Sequence, residues 1–177
     1  MTERRQIEVL FSQEQIAERI EALAMEIGSA KLQNLLVVAI LKGSFMFAAD
    51  LLRALHRVGI EPHVEFFHLS SYLAGMASSG TVKILRDIES PVKDRDVLLV
   101  DDILETGRTL AFAKDLLVAR GARRVLICSL LEKPGKLAVQ VKADFLGFEC
   151  PDLFVVGYGM DVAHAYRELP FIGRVAK

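Results

Sequence analysis

The sequence predicts an α/β fold, a mostly parallel central sheet flanked by helices. Three observations carry this expectation. Short, almost wholly apolar runs recur through the middle of the chain, among them LLVVAIL (35–41), VLLVDD (97–102) and RVLICSLL (124–131). Such runs suit strands buried on both faces, as in parallel sheets. Helix-length segments separate them, which gives right-handed strand–helix–strand units. Finally, chemically loaded loops follow three strand ends, KGS after 41, DDILETGRT after 100 and EKPG after 131. That is the side on which the binding crevice of such a sheet opens.

The elements follow in order. In SQEQIAERIEALAMEIGSA, Ile16, Ile20, Leu23 and Ile27 recur at helical spacing. Ser12 with Gln15 forms a capping-box pattern and Gly28 is the expected stop, so a helix is predicted over 12–28. LLVVAIL is the first strand, and FMFAADLLRALHRVG is a helix ending at Gly59. HVEFFHL (63–69) is the second strand. Residues 70–81, SSYLAGMASSGT, have the composition of a mobile loop. TVKIL and VLLVDD are further strands, Gly107 to Arg120 is a helix stopped at Gly121, and RVLICSLL is another strand before a Pro-Gly turn. DFLGFE and LFVVGY are the late strands.

The bulk properties narrow the function classes. With 177 residues the chain suits one domain with a real core. A formal net charge of −1 offers no general surface for nucleic acid, so any bound anion needs a local cradle. The two cysteines, Cys128 and Cys150, make a poor disulfide framework, and Cys128 reads as a small buried hydrophobe. The apolar runs are far shorter than a bilayer span, and MTERRQIEVLF lacks a secretory pattern, so a cytoplasmic protein with no membrane partner is expected. The four histidines show no metal-ligand spacing.

VLLVDDILETGRTL (97–110) carries most of the chemistry. An apolar strand runs directly into Asp101 and Asp102, and two charges there need partners such as hydroxyls or magnesium. Three residues on, ETGRT opens a helix whose free amides and dipole favour an anion. Glu105, Thr106, Gly107, Arg108 and Thr109 thus form a monophosphate cradle one short loop from paired acids. A sugar phosphate fits that pairing.

This segment resembles the phosphoribosyl pyrophosphate signature of type I phosphoribosyltransferases, and the resemblance extends over residues 35–177. LKGS (41–44) is similar to the pyrophosphate loop of the hypoxanthine-guanine subfamily, which implies pyrophosphate binding by Lys42 and Gly43 and, often, a cis peptide before the lysine. Ser71 and Tyr72 match the subfamily's closing loop. Lys133 in SLLEKPG matches the donor to the purine 6-oxygen. In FECPDLFVVGYGMD, Phe154 matches the residue that stacks on the base, and Val155 and Asp161 those that meet its far edge. Arg167 matches a pyrophosphate contact. The resemblance implies the type I phosphoribosyltransferase fold in a single domain, 1–177, with a small hood over the purine formed in part by helix 12–28 and segment 144–177. It also implies Mg²⁺ at Asp101 and Asp102 with a second ion near Asp161, phosphoribosyl pyrophosphate and a 6-oxopurine as substrates, and a homodimer or homotetramer.

Two positions depart from the subfamily pattern. Asp101 stands where glutamate is usual, and Glu105 where the carboxylate facing purine nitrogen 7 is typically aspartate. The expectation is that Glu105 keeps the base role with a shifted reach, beside Lys133 as the second catalytic group. Two alternatives stand beside transfer to hypoxanthine or guanine. One is a different base such as xanthine; the other is a nucleotide-sensing regulator without turnover.

Overall fold

The computed structural model describes residues 6–71 and 81–175. A six-stranded sheet forms its centre. In chain order its strands are β2 (Leu36–Leu41), β3 (His63–Ser71), β4 (Val82–Arg86), β5 (Asp96–Leu104), β6 (Arg124–Glu132) and β7 (Phe145–Glu149). In space the order is β4-β3-β2-β5-β6-β7, parallel throughout except for the antiparallel edge strand β4. The outward steps from β2 to β3 and from β5 to β6 diverge between the adjacent strands β2 and β5, which makes that boundary the switch point where ligands bind.

Alternation along the strands explains the two-sided core. Val37, Ala39, Leu98 and Val100 point to one face, where helices α1 (Gln13–Ser29) and α2 (Phe45–Arg57) supply Ile16, Ile20, Leu23, Phe47 and Leu51. Leu36, Val38, Ile40, Val97 and Leu99 point to the other, against Leu110, Ala113 and Leu117 of α3 (Arg108–Ala119). Each fully buried Leu, Ile, Val or Phe contributes about 1.5–3 kcal/mol over leaving it in water. This burial on both faces is why the apolar runs hold no alternating polar positions. Cys128 is also buried in this core, and burial pushes its thiol pKa up, leaving it a hydrophobe.

The expected capping box is present. The Ser12 hydroxyl accepts from the Gln15 amide at 3.3 Å, and the Gln15 side chain accepts from the Ser12 amide at 2.8 Å. The stop differs: Gly28 lies inside α1, and Lys31 (φ 48°) adopts the left-handed conformation just beyond it. The Ala30 amide already closes on the Ile27 and Gly28 carbonyls, so the last turn continues past the glycine.

A second sheet, of order β1-β9-β8, joins both ends of the described chain: β1 (Ile7–Phe11), β8 (Val155–Val156) and β9 (Ile172–Val175), all antiparallel. One expectation is corrected here. LFVVGY is not a long strand; only Val155 and Val156 pair, because Gly157, Tyr158 and Gly159 all take positive φ and turn the chain. Helix α1 packs on α2 and against β7, and β7 is hydrogen-bonded to β6 as the edge of the main sheet. Helix 12–28 and residues 145–149 therefore belong to the main body, while β1, β8 and β9 form the separate layer.

Candidate active site

The strand ends expected to carry chemistry do converge. Two cavities lie side by side beyond the carboxyl ends of β2, β3 and β5. One, of about 490 Å³, is lined by Lys42, His68, Glu105, Lys133, Phe154, Val155, Asp161 and Arg167 among others. Its neighbour, of about 520 Å³, is lined by Asp101, Asp102, Glu105 to Thr109, Thr81 and Val82. Leu41, Lys42, Gly43, Asp102, Ile103 and Glu105 line both and form the ridge between them.

The second cavity has the construction of an anion cradle. Gly107 is the residue before α3 and sits in the left-handed region (φ 78°), with no side-chain cap at that helix start. A Cβ on Gly107 would lie 2.4 Å from Val141 Cγ1, so the position suits glycine on two counts. Thr106, Arg108 and Thr109 line the cavity beside it, with the Arg108 amide donating to the Thr106 hydroxyl at 3.5 Å. A helix start of this kind attracts phosphate oxygens.

Asp101 and Asp102 lie within β5, which runs on to Leu104 through pairing with β6 rather than ending at 102 as expected, and they share one environment. Burial and the adjacent Asp102 charge hold the Asp101 carboxyl well above the ordinary aspartate range. Burial raises Asp102 too, opposed by hydrogen bonds from Asp101 and nearby amides and by the positive charge of Arg167. Among the described residues no three His, Cys, Asp or Glu side chains gather into a metal cage. The two carboxylates are nevertheless a hard-oxygen donor set of the kind magnesium shares with substrate oxygens.

The Leu41–Lys42 peptide is cis. Gly43 follows, pressed against Asp102: a Cβ there would lie 1.9 Å from Asp102 Oδ2. From the other side Gly159 closes over the same loop, its would-be Cβ 2.2 Å from the Gly43 carbonyl oxygen. Arg167 donates to the Gly159 carbonyl at 2.6 Å and pairs with Asp161 at 2.8 Å. The second Asp161 oxygen accepts from the His164 amide at 2.7 Å.

In the first cavity Lys133 is almost fully buried, and its ammonium lies 3.1 Å from Glu105 Oε1. Val155 is buried at the wall, whereas Phe154 stands 62 % exposed at the rim with a ring free to meet a flat ligand. Ser71 ends β3, and Tyr72 lies outside the described residues. Six lining residues were not expected as site residues from the sequence: His68, Leu69, Ser70, Leu41, Ile103 and Met160. The signal for the first two was available. HVEFFHL is the next parallel strand to β2, so its carboxyl end opens on the same crevice.

Fold and site together define a class: an α/β protein with a glycine-led helix start and paired acids in one crevice. Residues 6–163 match the phosphoribosyl transferase domain family, and the chain belongs to that family, with its type I fold. Hypoxanthine phosphoribosyltransferase of Escherichia coli strain K12 is 41% identical over 172 residues, 96% of this chain and 95% of the relative. The enzyme of that name from Buchnera aphidicola is 41% identical over 173 residues, 96% of each chain. Among solved structures, a hypoxanthine-guanine phosphoribosyltransferase from Bacillus anthracis superposes with a TM-score of 0.90 at 39% identity, covering 97% of this chain and 100% of its own.

Proposed function

We propose that this protein transfers the 5-phosphoribosyl group of phosphoribosyl pyrophosphate to nitrogen 9 of a 6-oxopurine, hypoxanthine or guanine, releasing pyrophosphate. The observation that carries the reading is the position of Glu105, on the ridge where a cradle suited to a sugar phosphate meets a recess suited to a planar base. The close relation to named hypoxanthine phosphoribosyltransferases supports it.

The 5′-phosphate sits on the amides of residues 105–109, with Thr106 and Thr109 as hydroxyl donors and Arg108 as countercharge. The ribose hydroxyls meet Asp101 and Asp102. Lys42, the Gly43 backbone and Arg167 receive the pyrophosphate. The base enters the other cavity, with Phe154 over its face, Lys133 donating to its 6-oxygen, and Val155 and Asp161 at its far edge. A donor at that place disfavours adenine, whose amino group leaves two donors facing each other.

In the reaction the bond from the anomeric carbon to pyrophosphate breaks, its electron pair leaving on oxygen. Nitrogen 9 supplies the pair for the new bond, and Glu105 takes the proton from nitrogen 7. Lys42 and Arg167 stabilise the departing charge. Asp101 and Asp102 would hold Mg²⁺ through the ribose hydroxyls; once bound, the ion neutralises charge on pyrophosphate. Asp161, with both oxygens engaged by Arg167 and His164, would meet a second ion only through water and pyrophosphate.

The test is nucleotide formation from phosphoribosyl pyrophosphate with hypoxanthine, guanine, xanthine, adenine and uracil. Turnover of hypoxanthine or guanine that stops on chelation of magnesium is expected. Binding of phosphoribosyl pyrophosphate without turnover of any base would instead favour a nucleotide-sensing regulator.

A further inference from the structure

One polar contact between a buried tyrosine and a half-exposed aspartate lies just outside the machinery described above. Tyr158 is 7 % exposed, and its hydroxyl donates to Asp50 Oδ2 on α2. The other Asp50 oxygen accepts from Arg53 at 2.9 Å. Tyr158 faces neither site cavity. It lines a separate groove between α1 and α2, with Ile16, Ile20 and Met46. Its backbone sits at φ 49°, in a region that non-glycine residues seldom occupy.

The two elements this bond joins are those that bracket the pyrophosphate loop. Asp50 belongs to the helix that begins at Phe45, directly after Lys42, Gly43 and Ser44. Tyr158 precedes Gly159, whose backbone lies against the Gly43 carbonyl with no room for a Cβ. The Gly159 amide donates to the Arg167 carbonyl at 3.0 Å, and the Arg167 guanidinium returns to the Gly159 carbonyl. Arg167 in turn holds Asp161. A shift of Tyr158 away from α2 therefore moves Gly159 off Gly43 and moves Arg167 relative to Lys42.

We propose that the Tyr158–Asp50 hydrogen bond is a clasp that sets the spacing between the 41–44 loop and the Arg167–Asp161 pair, making Tyr158 and Asp50 positioning residues for the pyrophosphate half of the substrate. The inference rests on the assignment of Lys42 and Arg167 to pyrophosphate. A phenol suits this role, because burial, and then the Asp50 carboxylate, push its pKa far up and keep it a neutral donor. A bond to a carboxylate is also among the stronger neutral–charged contacts.

The test is Tyr158→Phe, which removes one oxygen and no packing volume. Affinity for phosphoribosyl pyrophosphate is measured by calorimetry with magnesium, and steady-state constants are measured in both directions. Expected is a rise of roughly five- to ten-fold in Kd for phosphoribosyl pyrophosphate and in KM for pyrophosphate. The KM for the purine stays within about two-fold. Asp50→Ala gives the same pattern, the double variant is no worse than the weaker single one, and Asp50→Asn, which keeps an acceptor, is close to wild type. Equal changes in every constant, no change in any, or additive effects of the two substitutions would overturn the clasp. Arg167→Ala, run alongside, separates the layers. If it weakens phosphoribosyl pyrophosphate binding while Tyr158→Phe does not, only the clasp fails. If Arg167→Ala leaves that binding unchanged, the pyrophosphate assignment fails and the clasp with it.

Discussion

Glu105 offers a perturbation in which stability and turnover separate. Its Oε1 lies 3.1 Å from the Lys133 ammonium, with the lysine side chain 8% exposed and the glutamate 44%. Glu105→Asp withdraws the carboxylate by roughly 1.5 Å, past hydrogen-bond range. The Coulomb energy lost lies between about 0.4 kcal/mol in full water screening and about 1.7 kcal/mol at an effective dielectric of 20. Exposure of the glutamate keeps the loss well below the upper end of that span, so about 1 kcal/mol is expected. For a chain of this size that lowers Tm by roughly 2–4 °C. Turnover survives within about ten-fold, because aspartate is still a carboxylate base. Glu105→Gln has the opposite profile. Its amide oxygen keeps a contact to Lys133, but it accepts no proton, so kcat falls by about 10²–10⁴-fold, or roughly 3–5 kcal/mol of barrier. Thermal melts and spectrophotometric nucleotide synthesis on the two variants give all four readings. A Gln variant that turns over near the wild-type rate, or an Asp variant as impaired as the Gln one, would refute the base assignment.

Three other predictions follow from the packing. Gly43→Ala places a methyl 1.9 Å from Asp102 Oδ2, so the loop or the carboxylate must move, and kcat/KM should fall by about 100-fold or more while far-UV circular dichroism is retained; a fully active variant would show that the loop is not held against Asp102. Lys133→Met keeps the stem but loses the ammonium, and should narrow the preference for hypoxanthine over adenine, read as the ratio of kcat/KM values; an unchanged ratio would remove Lys133 from base selection. Asp96 is buried, and hydrogen bonds first from Arg124 and then from Arg123 hold its carboxyl well below the ordinary range. A carboxyl lowered in the folded state stabilises it above the unfolded pKa of about 4 and loses that contribution as pH falls through the acid range. Asp96→Ala should therefore cost about 2 kcal/mol at pH 7 and less at pH 3, by urea midpoints. An equal or larger gap at pH 3 would contradict the ion-pair account.

The sequence showed the main sheet well because each parallel strand is an unbroken apolar run, a pattern set by burial on both faces. The strand β5 with its following loop was legible for a further reason: Asp101, Asp102 and Gly107 are residue types that a buried strand end and a helix start tolerate only with a purpose. β1 and β9 were not legible. Each is short and carries exposed or half-buried positions, and their pairing joins Ile7 to Val175 across nearly the whole chain. No local pattern reports such a partner. The Glu105–Lys133 and Asp50–Tyr158 contacts were hidden for the same reason, since each joins side chains from separate elements. The over-long strand at LFVVGY came from reading composition alone; Tyr158 is apolar enough for a strand, yet its left-handed backbone turns the chain.

The pairing of β1 with β9 also has a consequence for synthesis. On the ribosome, every strand of the six-stranded sheet is available once residue 149 has emerged, and that sheet can begin to form with its nearest neighbours in sequence. The small sheet has to wait, because the first strand finds its partner only among residues 172–175. Val155, at the wall of the base cavity, is seated by that late sheet through its pairing with Arg174. A nascent chain can thus offer the cavity at the start of α3 while the cavity lined by Phe154 and Val155 is still unfinished. That cavity is complete only once β9 has emerged, and a product truncated before β9 is left with a folded core and half a site.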